Sequence, residues 1–194
     1  MMILPFNQKQ HLRSIVDLHY KELPWTPNSR IGKEHLYKLY KNITDLPSSF
    51  GFVYLVNERV IGFSLISLNN IEMRNILEEC FKIKDLIQLL KLSISDPNIF
   101  IDIMESKFII PIYLKKIETT SELVAWVVDR NDPLSGTAAI ECFFRAKKFF
   151  REHNKLYYIG QVDVRCKEAN QFWSIFKNIK KKKFICNNIY LIKS

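Results

Sequence analysis

Residues 121–146, SELVAWVVDRNDPLSGTAAIECFFRA, read as a strand, a turn and a helix. Leu123 to Val128 form a short apolar run rich in β-branched residues, as a buried strand requires. Asn131, Asp132, Pro133, Ser135 and Gly136 then supply turn chemistry. The helix that follows carries Ala139, Phe143, Ala146 and Phe150 as its expected apolar face. A helix that starts in such a turn offers unpaired N–H groups and the positive end of its dipole to an anion.

The rest of the chain sets limits on what that segment serves. Its 194 residues, 47% of them hydrophobic, suffice for a single domain spanning 1–194. No run of eighteen apolar residues occurs, and MMILPFNQKQ lacks the apolar segment and cleavage site of a signal peptide. A soluble, cytoplasmic protein without membrane contact is expected. Cys80, Cys142, Cys166 and Cys186 form no CxxC pair, and His11, His19, His35 and His153 no HExxH, so free thiols and no metal are expected. The net charge of +9 favours anionic partners without choosing among them. Lys177 and Lys180 to Lys183 read as a solvated helix end and loop, and without interleaved aromatics a nucleic-acid partner is disfavoured.

The spacing predicts a first helix over 8–21, closed by Pro24 and Pro27, and a second over 32–41. Phe50 to Val56 and Val60 to Ser67 form a hairpin across Asn57, Glu58 and Arg59. Helical spacing returns over about 70–113 as an insert, with a break at Asp96-Pro97. Beyond the 121–146 segment come a strand over 156–164, a helix over 167–177 and a last strand over 184–192. The order predicts an α/β chain on a mixed, mostly antiparallel sheet of about six to seven strands, flanked by helices.

This order, and the residues in it, resembles the GCN5-related N-acetyltransferase (GNAT) superfamily over essentially the whole chain. That family's acetyl-CoA motif runs Gln/Arg-x-x-Gly-x-Gly/Ala after a strand, where this chain has Pro133-Leu134-Ser135-Gly136-Thr137-Ala138. Its second signature, Asn-x-x-Ala-x-x-Phe-Tyr, is matched by Cys166-Lys167-Glu168-Ala169-Asn170-Gln171-Phe172-Trp173. The hairpin FGFVYLVNERVIGFSLIS is similar to the family's N-terminal strand pair.

The resemblance implies acetyl-CoA, or another acyl-CoA, as cosubstrate. The pantetheine arm would bond to Val127 and Val128, where two parallel strands part, and the pyrophosphate would lie on amides from Leu134 to Ala139. Cys166, Ala169, Phe172 and Trp173 would complete the cofactor wall. Pro133 removes an N–H and a polar side chain from the loop, leaving charge compensation to the helix dipole and to Arg130, Arg165 or Lys167. Glu122, spaced as the base of the histone-acetylating branch is, becomes the candidate general base. Trp173 stands where a tyrosine acid is usual, so Tyr157, Tyr158 or Tyr190 substitutes, or solvent protonates the thiolate. Cys166 is read as an inert thiol in preference to a nucleophile.

The implied function is acetyl transfer to a primary amine of a small molecule or peptide by direct attack in a ternary complex, by a monomer or homodimer. A non-catalytic module that binds CoA or a partner is the alternative, and an anion or nucleic-acid binder using the lysine run is a third reading. His19, Glu22, Trp25 and Tyr37 are the acceptor-side candidates.

Overall fold

The computed structural model describes residues 1–117, 119–176 and 179–194, without the side chain of Leu86. Lys177, placed by the sequence reading at a helix end, lies outside the described residues.

The chain begins with strand β1 (Met2–Pro5), helix α1 (Gln8–Glu22), a short α2 (Pro27–Ile31) and α3 (Lys33–Asp45). Pro27 opens α2 instead of merely closing α1: it sits in the first turn, where no N–H is needed, behind the Thr26 cap. Strands β2 (Ser49–Val56) and β3 (Arg59–Ser67) form the expected hairpin. Its two-residue turn holds Asn57 and Glu58 at positive φ, 47° and 64°, which suits the twist of the flanking strands.

The insert comprises α4 (Asn70–Glu79), α5 (Ile83–Ser95), α6 (Pro97–Met104), a π-helical turn (Glu105–Ile109) and α7 (Ile110–Leu114). Asp96 caps α6, and Pro97 starts it. Pro111 does not end the helical run. It follows the wider π turn and occupies the first turn of α7.

The chain then returns to the sheet with β4 (Glu122–Val128), α8 (Ser135–Glu152), β5 (Tyr157–Asp163), α9 (Lys167–Ser174), β6 (Lys180–Lys183) and β7 (Asn187–Lys193). The seven strands lie in the order β1-β2-β3-β4-β5-β7-β6. β4 and β5 are parallel, and the other neighbours are antiparallel. Lys180 to Lys183 are therefore a fully exposed edge strand and not a loop. Their ammonium groups oppose further strand addition at that edge.

Helices α1, α3 and α4 cover one face of the sheet through Ile15, Leu36, Tyr40, Phe63 and Met73. On the other face α8 and α9 pack Phe143, Phe150 and Trp173 against Leu123, Tyr158 and Tyr190. Gly62 admits α8 closely: a Cβ there would meet Ala138 Cβ and Val128 Cγ1, each at 3.1 Å. Among the described residues no helix is long and apolar enough to cross a membrane.

Candidate functional site

The β4 strand is bent and left half unpaired. Ala125 lies opposite Leu65 and Leu123 opposite Ile66, so Val124 is an extra residue, a bulge. The bulge turns Val124 and Ala125 both towards the α1 face. β4 pairs with β5 at Glu122–Ile159 and Leu123–Gly160, beyond which the strands part.

Backbone alternation shows which groups face the gap. The Asp129 N–H donates to the Ile61 carbonyl, so Val127, two residues back, is also turned to β3. Trp126 and Val128 consequently present their N–H and C=O groups to the cleft. Of the two positions expected there, Val128 has its backbone groups towards the gap and Val127 has its own towards β3.

At the far end of β4 the loop folds onto its own carboxylates. Asp129 Oδ1 accepts from the Asn131 N–H, and Asp132 Oδ1 accepts from the Leu134 N–H at 2.9 Å. The Asp132 carbonyl takes the Ser135 N–H, and the Leu134 carbonyl the Ala138 N–H. Among the described residues, the amides of Gly136 and Thr137 are left without a protein acceptor, and α8 has no side-chain cap. A Cβ on Gly136 would meet nothing within 4 Å, so the approach to these amides is open. Ala138 is buried beneath the loop, and Pro133 is exposed.

The charges around this loop are largely engaged. Lys21 pairs with Asp129, and Arg59 with Asp129 and Asp132. The Lys21 hydrogen bond holds the Asp129 carboxyl below its usual range. Arg130, one of the expected phosphate cations, donates to Glu22 Oε2 at 2.7 Å and lies over Trp25. Arg165 is likewise tied to Asp163 and Asp102. Of the three expected cations, Lys167, exposed at the start of α9, is the one that makes no ion pair among the described residues.

Asn170 anchors the start of α9. It donates to the carbonyls of Asp163 and Cys166 and accepts from Asn188 and the Tyr190 hydroxyl. Burial pushes the Cys166 thiol up to about 11, which disfavours the thiolate. Trp173 is buried against Gly160, Tyr190 and Phe143. Phe172 packs on Trp126, with ring centroids 4.9 Å apart, and the Trp126 Nε1–H donates to the Ala139 carbonyl. These aromatics join α8 to α9 beneath the cleft.

Above the cleft, on the α1 face, lies a cavity of about 340 Å³. Val124 to Val127, Gly160 to Asp163, Cys166, Ala169 and Trp173 wall its sheet side. Glu122 enters it, and Arg74 of α4 holds both carboxylate oxygens, at 2.9 and 3.2 Å. Asp102 of α6 stands on the insert side, its carboxyl raised chiefly by burial. His19 and Tyr40 line the helical side, with Nδ1 and the hydroxyl 2.6 Å apart. Burial lowers His19 to about 4 and raises the Tyr40 phenol.

The tyrosines named from sequence are not in this cavity. Tyr158 is fully buried on the opposite face, stacked on Phe150 at 4.2 Å, and burial raises its phenol. Tyr157 is surface-exposed at the start of β5. Alternation puts Tyr157 on the insert side with Ile159, but at the exposed start of β5, outside the residues that line the cavity. Of the acceptor-side candidates His19 lines the cavity, whereas Glu22 and Trp25 belong to the Arg130 cluster and Tyr37 is exposed. Arg74, Asp102, Tyr40 and Trp126 were missed. Trp126 lies inside the apolar run read as a strand without a role of its own, and Arg74 meets Glu122 across 48 residues and left no local signal.

The residues present fit an acyl-CoA at three places: two open amides at α8, two outward backbone pairs on β4, and a cavity holding a carboxylate. Among the described residues no group of three or more His, Cys, Asp and Glu could hold a metal ion.

No protein-family model matches the sequence, nor does any curated protein. Solved structures do match along nearly the full length. The PaiA N-acetyltransferase of Thermoplasma acidophilum in complex with coenzyme A aligns over 100% of both chains, at 11% identity and a TM-score of 0.56. Aminoglycoside 6'-acetyltransferase type Ii aligns over 98% of this chain and 95% of its own, at 10% identity and a TM-score of 0.59. FeeM, an N-acyl amino acid synthase from uncultured soil microbes, aligns over 99% and 91%, at 13% identity and a TM-score of 0.58. The likeness shows the fold: the chain has the mixed α/β architecture of the N-acetyltransferases that the GNAT resemblance implied.

Proposed function

We propose that the chain is an acyl-CoA-dependent N-acyltransferase that delivers an acetyl group to a primary amine by direct attack in a ternary complex. The observation that carries this reading is the continuity of the cleft. Open amides of Gly136 and Thr137 lie at one end of β4, outward backbone groups of Trp126 and Val128 come next, and the Glu122 cavity lies at the other end. The coenzyme A complex among the structures of this fold adds support.

When bound, the acyl-CoA supplies the thioester that the amine attacks. The two free amides and the dipole of α8 would hold its pyrophosphate. Trp126 and Val128 would orient the pantetheine as an added strand, satisfying backbone groups that otherwise face a gap. Glu122 would accept the proton of the amine, directly or through a water, while Arg74 fixes its carboxylate in the cavity. The leaving thiolate, of pKa near that of a free thiol at about 8.5, would take its proton from solvent.

A second reading, binding without turnover, is favoured by a different observation. Asp129 and Asp132 occupy amides of the loop from within, Pro133 has none to give, and the Trp126–Phe172 contact fills the space between α8 and α9. Free-thiol release from acetyl-CoA, followed with a panel of primary amines, separates the two. Amine-stimulated release that falls about a hundredfold in Glu122→Gln is expected of the transferase. Binding with slow hydrolysis that no amine accelerates would leave the second reading.

A further inference from the structure

The insert has two faces of opposite chemistry. On α5, Ile83, Ile87, Leu90 and Ile94 recur at helical spacing and lie open to solvent; Ile83 is 78% and Ile94 86% exposed. Across the Asp96 junction the run 97–114 continues the pattern with Phe100, Phe108 and Ile112, all exposed. Four large aliphatic side chains at such exposure along one face of a helix are more than singly scattered surface residues, and an apolar face of this kind is normally covered.

The charges of the same helices are sorted by sign. Every carboxylate of residues 81–117 is turned inward or used as a cap. Asp85 faces His35, Asp102 meets Asn187 and Arg165, Glu105 accepts from the Ile185 and Cys186 N–H groups, and Asp96 caps α6. Lys82, Lys84, Lys91, Lys115 and Lys116 are exposed around the apolar side chains. From α5 to α7 the outer face is thus apolar and cationic: among the described residues 81–117 no exposed carboxylate stands with these lysines, and Glu78 and Glu79, exposed at the end of α4, precede them.

We propose that this outer face of the insert docks onto an anionic phospholipid surface. A second copy is a poor occupant, because a two-fold pairing sets each patch against itself and brings lysines onto lysines. A partner helix needs a groove, and neither the cleft cavity nor the depression beside β2 is walled by these isoleucines. A bilayer requires no groove: it accepts protruding aliphatic side chains below the headgroups while lysines reach the phosphates. The inner sides of the same helices, through Asp102, Ser106 and Lys107, line the candidate cavity, so docking would set that cavity at the lipid surface.

Co-sedimentation of the chain with vesicles tests this. One set is phosphatidylcholine alone, and the other contains about 30% phosphatidylglycerol. Binding to the anionic set about tenfold above the neutral one is expected. Ile83→Gln with Ile87→Gln and Ile94→Gln should abolish it, as should Lys84→Gln with Lys91→Gln. Each replaces exposed side chains, so circular dichroism should show an unchanged fold. Lys180→Gln with Lys182→Gln, on β6, should leave binding intact. Three results would overturn the proposal: no binding to either set, loss confined to the β6 variant, or self-association on centrifugation without lipid that the isoleucine variant removes.

Discussion

His19 and Tyr40 illustrate what a single residue contributes here. Both are buried on the wall of the cavity and bonded to each other, and burial keeps the imidazole neutral down to about pH 4. The unfolded chain, with an ordinary histidine at 6.5, takes up a proton that the folded chain refuses. Stability therefore falls as pH drops from 6.5 towards 4, by about 3 kcal/mol from this group. His19→Gln, which keeps a hydrogen-bonding side chain, should flatten the slope of unfolding free energy in that window relative to the parent. Equal slopes in the two proteins would show that His19 takes up its proton as readily in the folded chain as in the unfolded one. The legibility of residues follows the range of their contacts. Gly136 announces itself by local turn chemistry, and Glu122 by its place at the head of an apolar run. Tyr158 misleads because a period of two assigns neighbours to opposite faces without saying which face holds the cavity.

Elements, in contrast, were legible wherever they bury a stripe. The hairpin, α1, α3, α8 and β4 appear within a few residues of their expected ends because their apolar periodicity is strong. Strands β1 and β6 were missed for a physical reason: each has four residues at a sheet edge and buries none of them, so no alternation marks it. The bulge at Val124 was equally hidden, since it is defined by the partner strand. One coupling between elements can be tested directly. Arg74 joins the insert to β4 through Glu122, whose side chain is 6% exposed. Arg74→Ala leaves that carboxylate buried and unpaired and should cost about 3–5 kcal/mol in urea unfolding. Adding Glu122→Gln should recover most of the loss, because the stranded charge is then gone. A cost below about 1 kcal/mol for Arg74→Ala would mean that water, not the guanidinium, compensates Glu122.

At the scale of the whole molecule, the sheet divides the work. Helices α8 and α9 close one face with aromatic packing, and α1, α3 and the insert enclose the cavity on the other. The cleft between β4 and β5 connects the two because the strands pair only at Glu122–Ile159 and Leu123–Gly160. The order of the elements disclosed this plan, whereas the inward acids and outward isoleucines of the insert emerge once its helices are placed. The central claim is that the cleft takes an acyl-CoA, and calorimetric titration of the purified chain with acetyl-CoA tests it most directly. One saturable site of micromolar or weaker affinity, about −8 kcal/mol at the tightest, is expected, from which CoA displaces acetyl-CoA. No heat of binding, together with no competition by CoA, would contradict it.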